Sequence, residues 1–347
     1  MFKLQIKYLS FFFGIVSIFS FFNILYSYYF NLYLNLDTYY FTLLASSTLF
    51  TTFFKFGKYD IKSNIFQRVL TIFLGYLLIP LVLSIPFYFS IYNLTFSNSF
   101  FEAISGFTST GFTIFENIKL IDQSLIIWRS TTQWIGGLYF LFSIIYLIDI
   151  YDDSFKKTLT NFISFNSLEI LKQATKIFIL YSLLTILIFI ILNIFSIRTF
   201  DSLNLSLTII SSGGFLPVNE LSTIIKENTQ IIIFSLLMLF SFFSLFFSYN
   251  LIFLRKKNVN FFYEDLHLFV YLVIVTTIFF LFFSFNYDFL INLFAIISSM
   301  SNIGFSLSSG QENLNFLYLI LVIIGGSFFS TSSGLRFIKI YSLFKFS

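Results

Sequence analysis

Eight stretches of mainly apolar residues dominate the chain, near 8–31, 38–54, 66–91, 125–149, 171–197, 228–254, 266–285 and 315–341. A helix needs about 20 such residues to cross the hydrocarbon core of a bilayer. The pattern suits lipid rather than water, and the expected fold class is an all-α integral membrane protein with about eight transmembrane helices. Composition agrees: only 10% of residues are charged, against about 25% in soluble domains. The first stretch follows Lys3 and Lys7. Large aromatics stand where a cleavage site would need small residues, so this stretch is expected to stay as an anchor.

The residue inventory removes several function classes. With no cysteine and one histidine, His267, the chain offers no disulfide, no zinc-type Cys/His cluster and no Cys/His nucleophile pair. A membrane-embedded enzyme would need clustered intramembrane Asp, His or Cys, and none is visible. The net charge of +4 does not point to nucleic acid, because the longest basic run is Arg255, Lys256 and Lys257. Phe, Ile, Asn, Lys and Tyr all have AT-rich codons, so base bias is a source for the 57 phenylalanines, and no stacking platform is read into them.

The basic residues sort by topology instead. With a cytoplasmic N-terminus, the inner segments hold Lys3, Lys7, Lys55, Lys58, Lys62, Arg68, Lys156, Lys157, Lys172, Lys176, Arg255, Lys256, Lys257, Arg336, Lys339 and Lys345. Lys119, Arg129, Arg198 and Lys226 fall outside. An asymmetry of 16 to 4 sets the orientation by the positive-inside rule. The expected location is the cytoplasmic (inner) membrane.

Between the spans, on the outer side, one pattern occurs three times. A short apolar segment runs into Ser/Thr and then Gly-Phe: Phe100–Phe112, Asp201–Phe215 and Phe289–Phe305. The last glycines, Gly111, Gly214 and Gly304, lie 103 and 90 residues apart, a period that accommodates two spanning helices and one re-entrant loop. This divides the chain into two leading helices (1–62), a first pore repeat (63–160), a second (161–258) and a third with an interrupted helix (259–347). Irregular backbone at membrane depth must line a wet cavity, because lipid cannot satisfy its carbonyls. A dehydrated cation can, with carbonyl and hydroxyl oxygens replacing its water shell. Glycine is expected at the turns because it adopts left-handed angles freely. The candidate ion-filter residues are Thr108, Ser109, Thr110 and Gly111; Ser211, Ser212, Gly213 and Gly214; and Ser301, Asn302, Ile303 and Gly304.

FEAISGFTSTGFT (101–113) followed by WRSTTQWIGG (128–137) resembles the first pore repeat of the Trk/Ktr/HKT potassium transporters, particularly the bacterial TrkH type. SSGGF (211–215) and SNIGF (301–305) are similar to the second and third filters. GGSFFSTSSGLRFIK (325–339) is similar to the Gly/Ser/Thr-rich intramembrane loop that gates the pore in that family. The resemblance runs from about residue 66 onward. It implies uptake of a monovalent cation, potassium or sodium, with the ion bound as substrate at the filter residues and no cofactor. It also implies a homodimer of pore subunits and a cytosolic nucleotide-binding ring of the TrkA or KtrA type. Ser330, Thr331, Ser332, Ser333, Gly334, Arg336 and Lys339 are the corresponding gate residues. The family carries four pore repeats and this sequence three, so a fourth is expected on a second polypeptide or beyond a shortened reading frame. Asn302 and Ile303 stand where the family commonly has Thr, and Ser332 and Ser333 where it often has Ala-Gly.

Charged residues near the segments have competing readings. Glu102 suits either a negative field at the pore mouth or the first turn of a pore helix, favoured by its dipole. Asp201 is expected to cap the second pore helix. Arg129, between Trp128 and Trp134, is either an interfacial anchor or, by the resemblance, a brace for the first filter. Arg336 and Lys339, one helical turn apart, either face the pore together or snorkel to headgroups. Asp149, Asp152, Asp153, Lys156 and Lys157 form a mixed-charge cytoplasmic loop, and His267 beside Glu264 and Asp265 is interfacial. Pro80 and Pro86 should kink the third span. Besides cation translocation, two readings stay open: an inverted-repeat transporter of a small solute and a non-conducting accessory subunit.

Overall fold

Helix ends, more than helix interiors, give this chain its shape, and they follow from specific residues. The computed structural model describes residues 7–57, 64–147, 170–252, 263–283, 289–307, 315–337 and 339–340. The expected mixed-charge loop and most of the expected inner basic residues lie outside this set. Two units are distinguished. One comprises Met1–Asp153 and Ser164–Ile177, the other Ser154–Ile163 and Phe178–Ser347.

The first unit begins with α1 (Lys7–Tyr29) and α2 (Leu36–Phe56), packed as a hairpin with Ser17 and Ser46 hydroxyls 2.8 Å apart. α3 (Ile65–Leu83) opens on a capping box between Asn64 and Gln67. The proline expectation sharpens to a break at Ser84, after which Pro86 sits in the first turn of the four-residue α4 (Ile85–Tyr88). Proline has no N–H to continue the ladder, and the Trp128 indole donates to the Leu83 carbonyl at the break, 3.0 Å away. α5 (Phe96–Phe107) follows, then α6 (Gln123–Tyr146). Every residue of α6 from Ser124 to Tyr146 except Phe140 is buried, including Ser130, Thr131, Thr132 and Gln133. Thr131 and Thr132 return their hydroxyls to the carbonyls of Trp128 and Arg129, which is how a helix carries polar residues at membrane depth. Phe12, Tyr139, Phe142 and Tyr146 pack ring to ring around it.

The second unit contains most of α7 (Ile170–Ile194), then α8 (Thr199–Ile210), α9 (Asn228–Phe242), α10 (Leu245–Ile252), α11 (Tyr263–Phe283), α12 (Phe289–Met300) and α13 (Asn315–Ile323). Its core gathers Phe242, Leu268, Ile296 and Met300. A parallel pair of two-residue strands, β1 (Ile324–Gly325) and β2 (Leu335–Arg336), encloses the Gly/Ser-rich loop.

Among the described residues, four helical stretches are both long and apolar enough to cross a membrane: Lys7–Tyr29, Ile65–Tyr88, Gln173–Ile194 and Tyr263–Leu281. α2 and α6 match them in length, with 21 and 24 residues. The stretch expected as one span near 228–254 is instead broken at Phe243 and Ser244, and the stretch near 315–341 is helical as far as Ile323 before the strand pair.

Candidate functional site

α5, α8 and α12 are each 12 residues long. At 1.5 Å per residue that is about 18 Å, little over half the roughly 30 Å hydrocarbon core. Their first residues, Phe96, Thr199 and Phe289, repeat the 103- and 90-residue spacing, as do their last, Phe107, Ile210 and Met300.

Each of the three helices ends in the same turn. Ser109 N–H donates to the Gly106 carbonyl and Thr110 N–H to that of Ser105, both at 2.9 Å. The second copy pairs Ser212 with Ile209 and Gly213 with Thr208; the third pairs Asn302 with Ser299 and Ile303 with Ser298. This is the Schellman arrangement, which satisfies the last helix carbonyls around one left-handed residue. The left-handed residues are Ser109 (φ 54°), Ser212 (φ 54°) and Asn302 (φ 60°). The expectation of glycine there is corrected: Gly111 and Gly304 take positive φ two residues later, at 81° and 77°, while Gly213 and Gly214 do not. Asn tolerates this region better than most residues, and a short polar side chain finds local partners there. Beyond the turn the chain doubles back on its helix. Ser105 donates to the Phe112 carbonyl at 2.6 Å, and Ser298 to the Phe305 carbonyl at 2.8 Å.

The turns put hydroxyls, amides and carbonyls, with no fixed charge, at helix C-termini. Those ends carry the negative half of the helix dipole. A dehydrated cation is the complementary guest. In the first segment Thr108 and Thr110 are exposed and their hydroxyls lie 2.7 Å apart. Ser211 and Ser212 are buried, whereas Gly304 is exposed. A Cβ built on Gly304 would meet nothing within 4 Å.

Glu102 and Arg129 brace the first segment. Arg129 Nε lies 2.8 Å from Glu102 Oε1, with side-chain exposures of 1% and 0%. Thr113 donates its hydroxyl to the carboxylate and accepts from Arg129 Nη2 at 3.0 Å, and Ile114 N–H donates to Glu102 Oε2 at 3.0 Å. The pair thus grips the chain just past Phe112. Two expectations change. Glu102 lies in the second turn of α5 rather than the first, and its charge is balanced by Arg129 instead of being presented to the mouth. Arg129, Trp128 and Trp134 are buried rather than interfacial. Gly136 of α6 lies against the end of α5, where a Cβ would collide with the Phe107 carbonyl.

In the second segment Asp201 does not cap α8. Arg198 is the N-cap residue, and Asp201 sits within the first turn, 3.7 Å from the Arg198 guanidinium. The Ser212 hydroxyl donates to the Ser301 carbonyl, joining the second segment to the third.

The Gly/Ser-rich loop is held on several sides within the second unit. Ser332 and Ser327 donate their N–H groups to the carbonyls of Ser241 and Phe242, the last two residues of α9 to be buried in the helix. Leu245 N–H, at the start of α10, donates to the Phe329 carbonyl. The loop therefore satisfies backbone groups on both sides of the α9–α10 break, groups that a helix terminus leaves open. Gly326 permits this approach, since a Cβ would strike the Phe242 carbonyl. Thr331 donates to the Ile210 carbonyl at the end of α8, and Asn302 Nδ2 donates to Ser332 Oγ at 3.2 Å and the Ser333 carbonyl at 3.3 Å.

Arg336 lies on β2 rather than on a helix. Its guanidinium turns back and donates to the carbonyls of Ser327 and Ser332, at 3.0 and 2.8 Å, and to Ser330 Oγ at 3.2 Å. Lys339 is exposed. Sequence reasoning missed Glu264 and Asp265, both buried at the start of α11. Glu264 accepts from Phe328 N–H at 2.9 Å, and Asp265 accepts from the N–H and hydroxyl of Ser244. One carboxylate thus holds the loop and its neighbour holds the helix break. Two adjacent acids opening an apolar helix were the available signal. His267 is half-buried, with Nδ1 2.7 Å from the Tyr263 carbonyl.

No protein-family model matches the chain. An uncharacterized cation transporter of Methanocaldococcus jannaschii is 26% identical over 288 residues, 78% of this chain and 57% of that protein. The Trk system potassium uptake protein TrkH of Salmonella typhimurium is 25% identical over 307 residues, 83% of this chain and 63% of that protein. The chain thus spans less than two thirds of the length of these relatives. The crystal structure of the potassium transporter TrkH from Vibrio parahaemolyticus shares the fold, with TM-score 0.81 over 99% of this chain and 74% of that one at 18% identity. The chain is thus similar in sequence to a cation transporter and to TrkH potassium uptake proteins, and it shares the fold of a TrkH structure.

Proposed function

We propose that this chain takes up a monovalent cation, potassium or sodium, across the cytoplasmic membrane, with its N-terminus on the cytoplasmic side. The observation that carries this reading is the recurrence, in one register, of a half-length helix ending in a left-handed Ser or Asn turn rich in neutral oxygens. The filter residues are Thr108–Gly111, Ser211–Gly214 and Ser301–Gly304, each segment replacing part of the ion's water shell. Glu102 and Arg129 support the first filter. Ser330–Gly334, Arg336 and Lys339 form the gate. The three segments belong to three helix–loop–helix repeats preceded by two leading helices, eight spans in all. A fourth segment from another stretch of polypeptide completes the ion path. Two pore subunits associate and are regulated by a cytosolic nucleotide-binding ring. The relatives' names, a cation transporter and potassium uptake proteins, support this assignment.

Rubidium and sodium uptake, compared in cells lacking their own uptake systems, tests the reading. Wild-type chain should raise rubidium entry, and Gly111→Asp, which places a charge and a side chain at a left-handed position, should abolish the gain. Indistinguishable uptake by the two would overturn the filter assignment, and no uptake by either would leave the accessory-subunit reading standing.

A further inference from the structure

Asn302 holds two structural positions at once. Its backbone is the left-handed residue of the third turn, at φ 60°. Its side-chain amide reaches out of that turn and donates to the Ser332 hydroxyl and the Ser333 carbonyl of the Gly/Ser-rich loop. The corresponding residues of the other two turns are serines. Ser212 uses its hydroxyl on the Ser301 carbonyl, one residue before Asn302. In the third turn the left-handed residue itself thus joins turn and loop through its side chain. Ser332, which receives the amide, also accepts from Gly326 N–H through its hydroxyl and from Arg336 through its carbonyl. The amide therefore lands on the residue around which the loop is organised.

We propose that Asn302 is a positioning residue that latches the third turn to the Gly/Ser-rich loop, so that the turn and the loop move as one body. The functional consequence rests on the filter and gate reading given above, but the latch itself does not. Breaking it should free the loop while leaving the turn intact. Asn302→Gly makes that separation, because glycine adopts the left-handed region without strain and removes only the amide. Asn302→Asp is the second variant, since a carboxylate keeps the left-handed preference but cannot donate to the Ser333 carbonyl.

The chain has no cysteine, so single thiols report cleanly. Ser330, buried in the loop, and Ser222, exposed outside it, provide the two sites. The purified full chain carrying Ser330→Cys is reacted with a water-soluble methanethiosulfonate, with and without Asn302→Gly or Asn302→Asp. The latch predicts a rate increase of about tenfold at Ser330→Cys with Asn302→Gly, the factor expected for losing two neutral hydrogen bonds, a smaller increase with Asn302→Asp, whose carboxylate still accepts from the Ser332 hydroxyl, and no change at Ser222→Cys. An unchanged rate at Ser330→Cys would overturn the proposal. So would equal increases at both sites, which indicate general loosening. Rubidium uptake measured on the same variants judges the transport reading separately: faster thiol reaction without any rubidium uptake supports the latch and counts against transport by this chain.

Discussion

The first and third segments share a backbone and differ in what holds it. Both end a 12-residue helix in the same turn, and both fold back through a serine bonded seven residues ahead. The first is then gripped by a buried ion pair, Glu102 with Arg129, while the third is tied by neutral groups to a loop that is itself organised by Arg336. A charged brace in a water-free setting fails abruptly, because removing one partner strands the other. A brace of neutral hydrogen bonds weakens in steps of about 0.5–1.5 kcal/mol each. The contrast suits one rigid segment and one that is free to move with its loop.

The largest effect should come from Arg129→Met, which leaves the Glu102 carboxylate buried alone and costs about 3–5 kcal/mol. Trp128 and Trp134 both lie in α6, so tryptophan fluorescence during thermal unfolding in detergent reads this unit directly. Combining Glu102→Gln with Arg129→Met should recover most of the loss. Failure to recover would mean that the pair does more than neutralise itself. In the second unit, Arg336→Met removes charge-assisted bonds to the Ser327, Ser330 and Ser332 carbonyls and should cost about 1.5–3 kcal/mol, measured by limited proteolysis within the loop, with little change in tryptophan fluorescence. Gly136→Ala pushes α6 off the Phe107 carbonyl and should cost about 1–3 kcal/mol, with reduced rubidium uptake if the end of α5 shifts. Smallest and most alike should be Ser105→Ala and Ser298→Ala, each about 1 kcal/mol. Unequal losses, measured by chemical denaturation, would show that the shared backbone is not held equally in the two places.

Much of this was legible in the chain. Apolar runs marked the long helices, and the spacing of three glycines marked the repeat register to the residue. What sequence hid was the division of labour inside each turn. Glycine is the usual left-handed residue, so Gly111 and Gly304 drew attention, while Ser109, Ser212 and Asn302 carry the helix-ending conformation. Glu102 and Arg129 are 27 residues apart in sequence, and no local pattern announces their pairing. The break at Ser244 was invisible because its hydrogen-bond partners come from Asp265 and Phe329, far along the chain. Charged residues near span ends read as interfacial by default, and for Arg129, Glu264 and Asp265 tertiary burial overrides that reading.

The helix-ending turn has a consequence for how such a protein forms. Its bonds join residues three and five positions apart, and its serine tie spans seven. Contacts this local lose little loop-closure entropy and arise on the timescale of helix growth itself. Each turn can therefore take shape as soon as its helix does, before distant helices gather around it. Assembly is left with collecting finished parts, and a defect far from a turn changes how many chains complete that step rather than the geometry any completed chain presents to an ion.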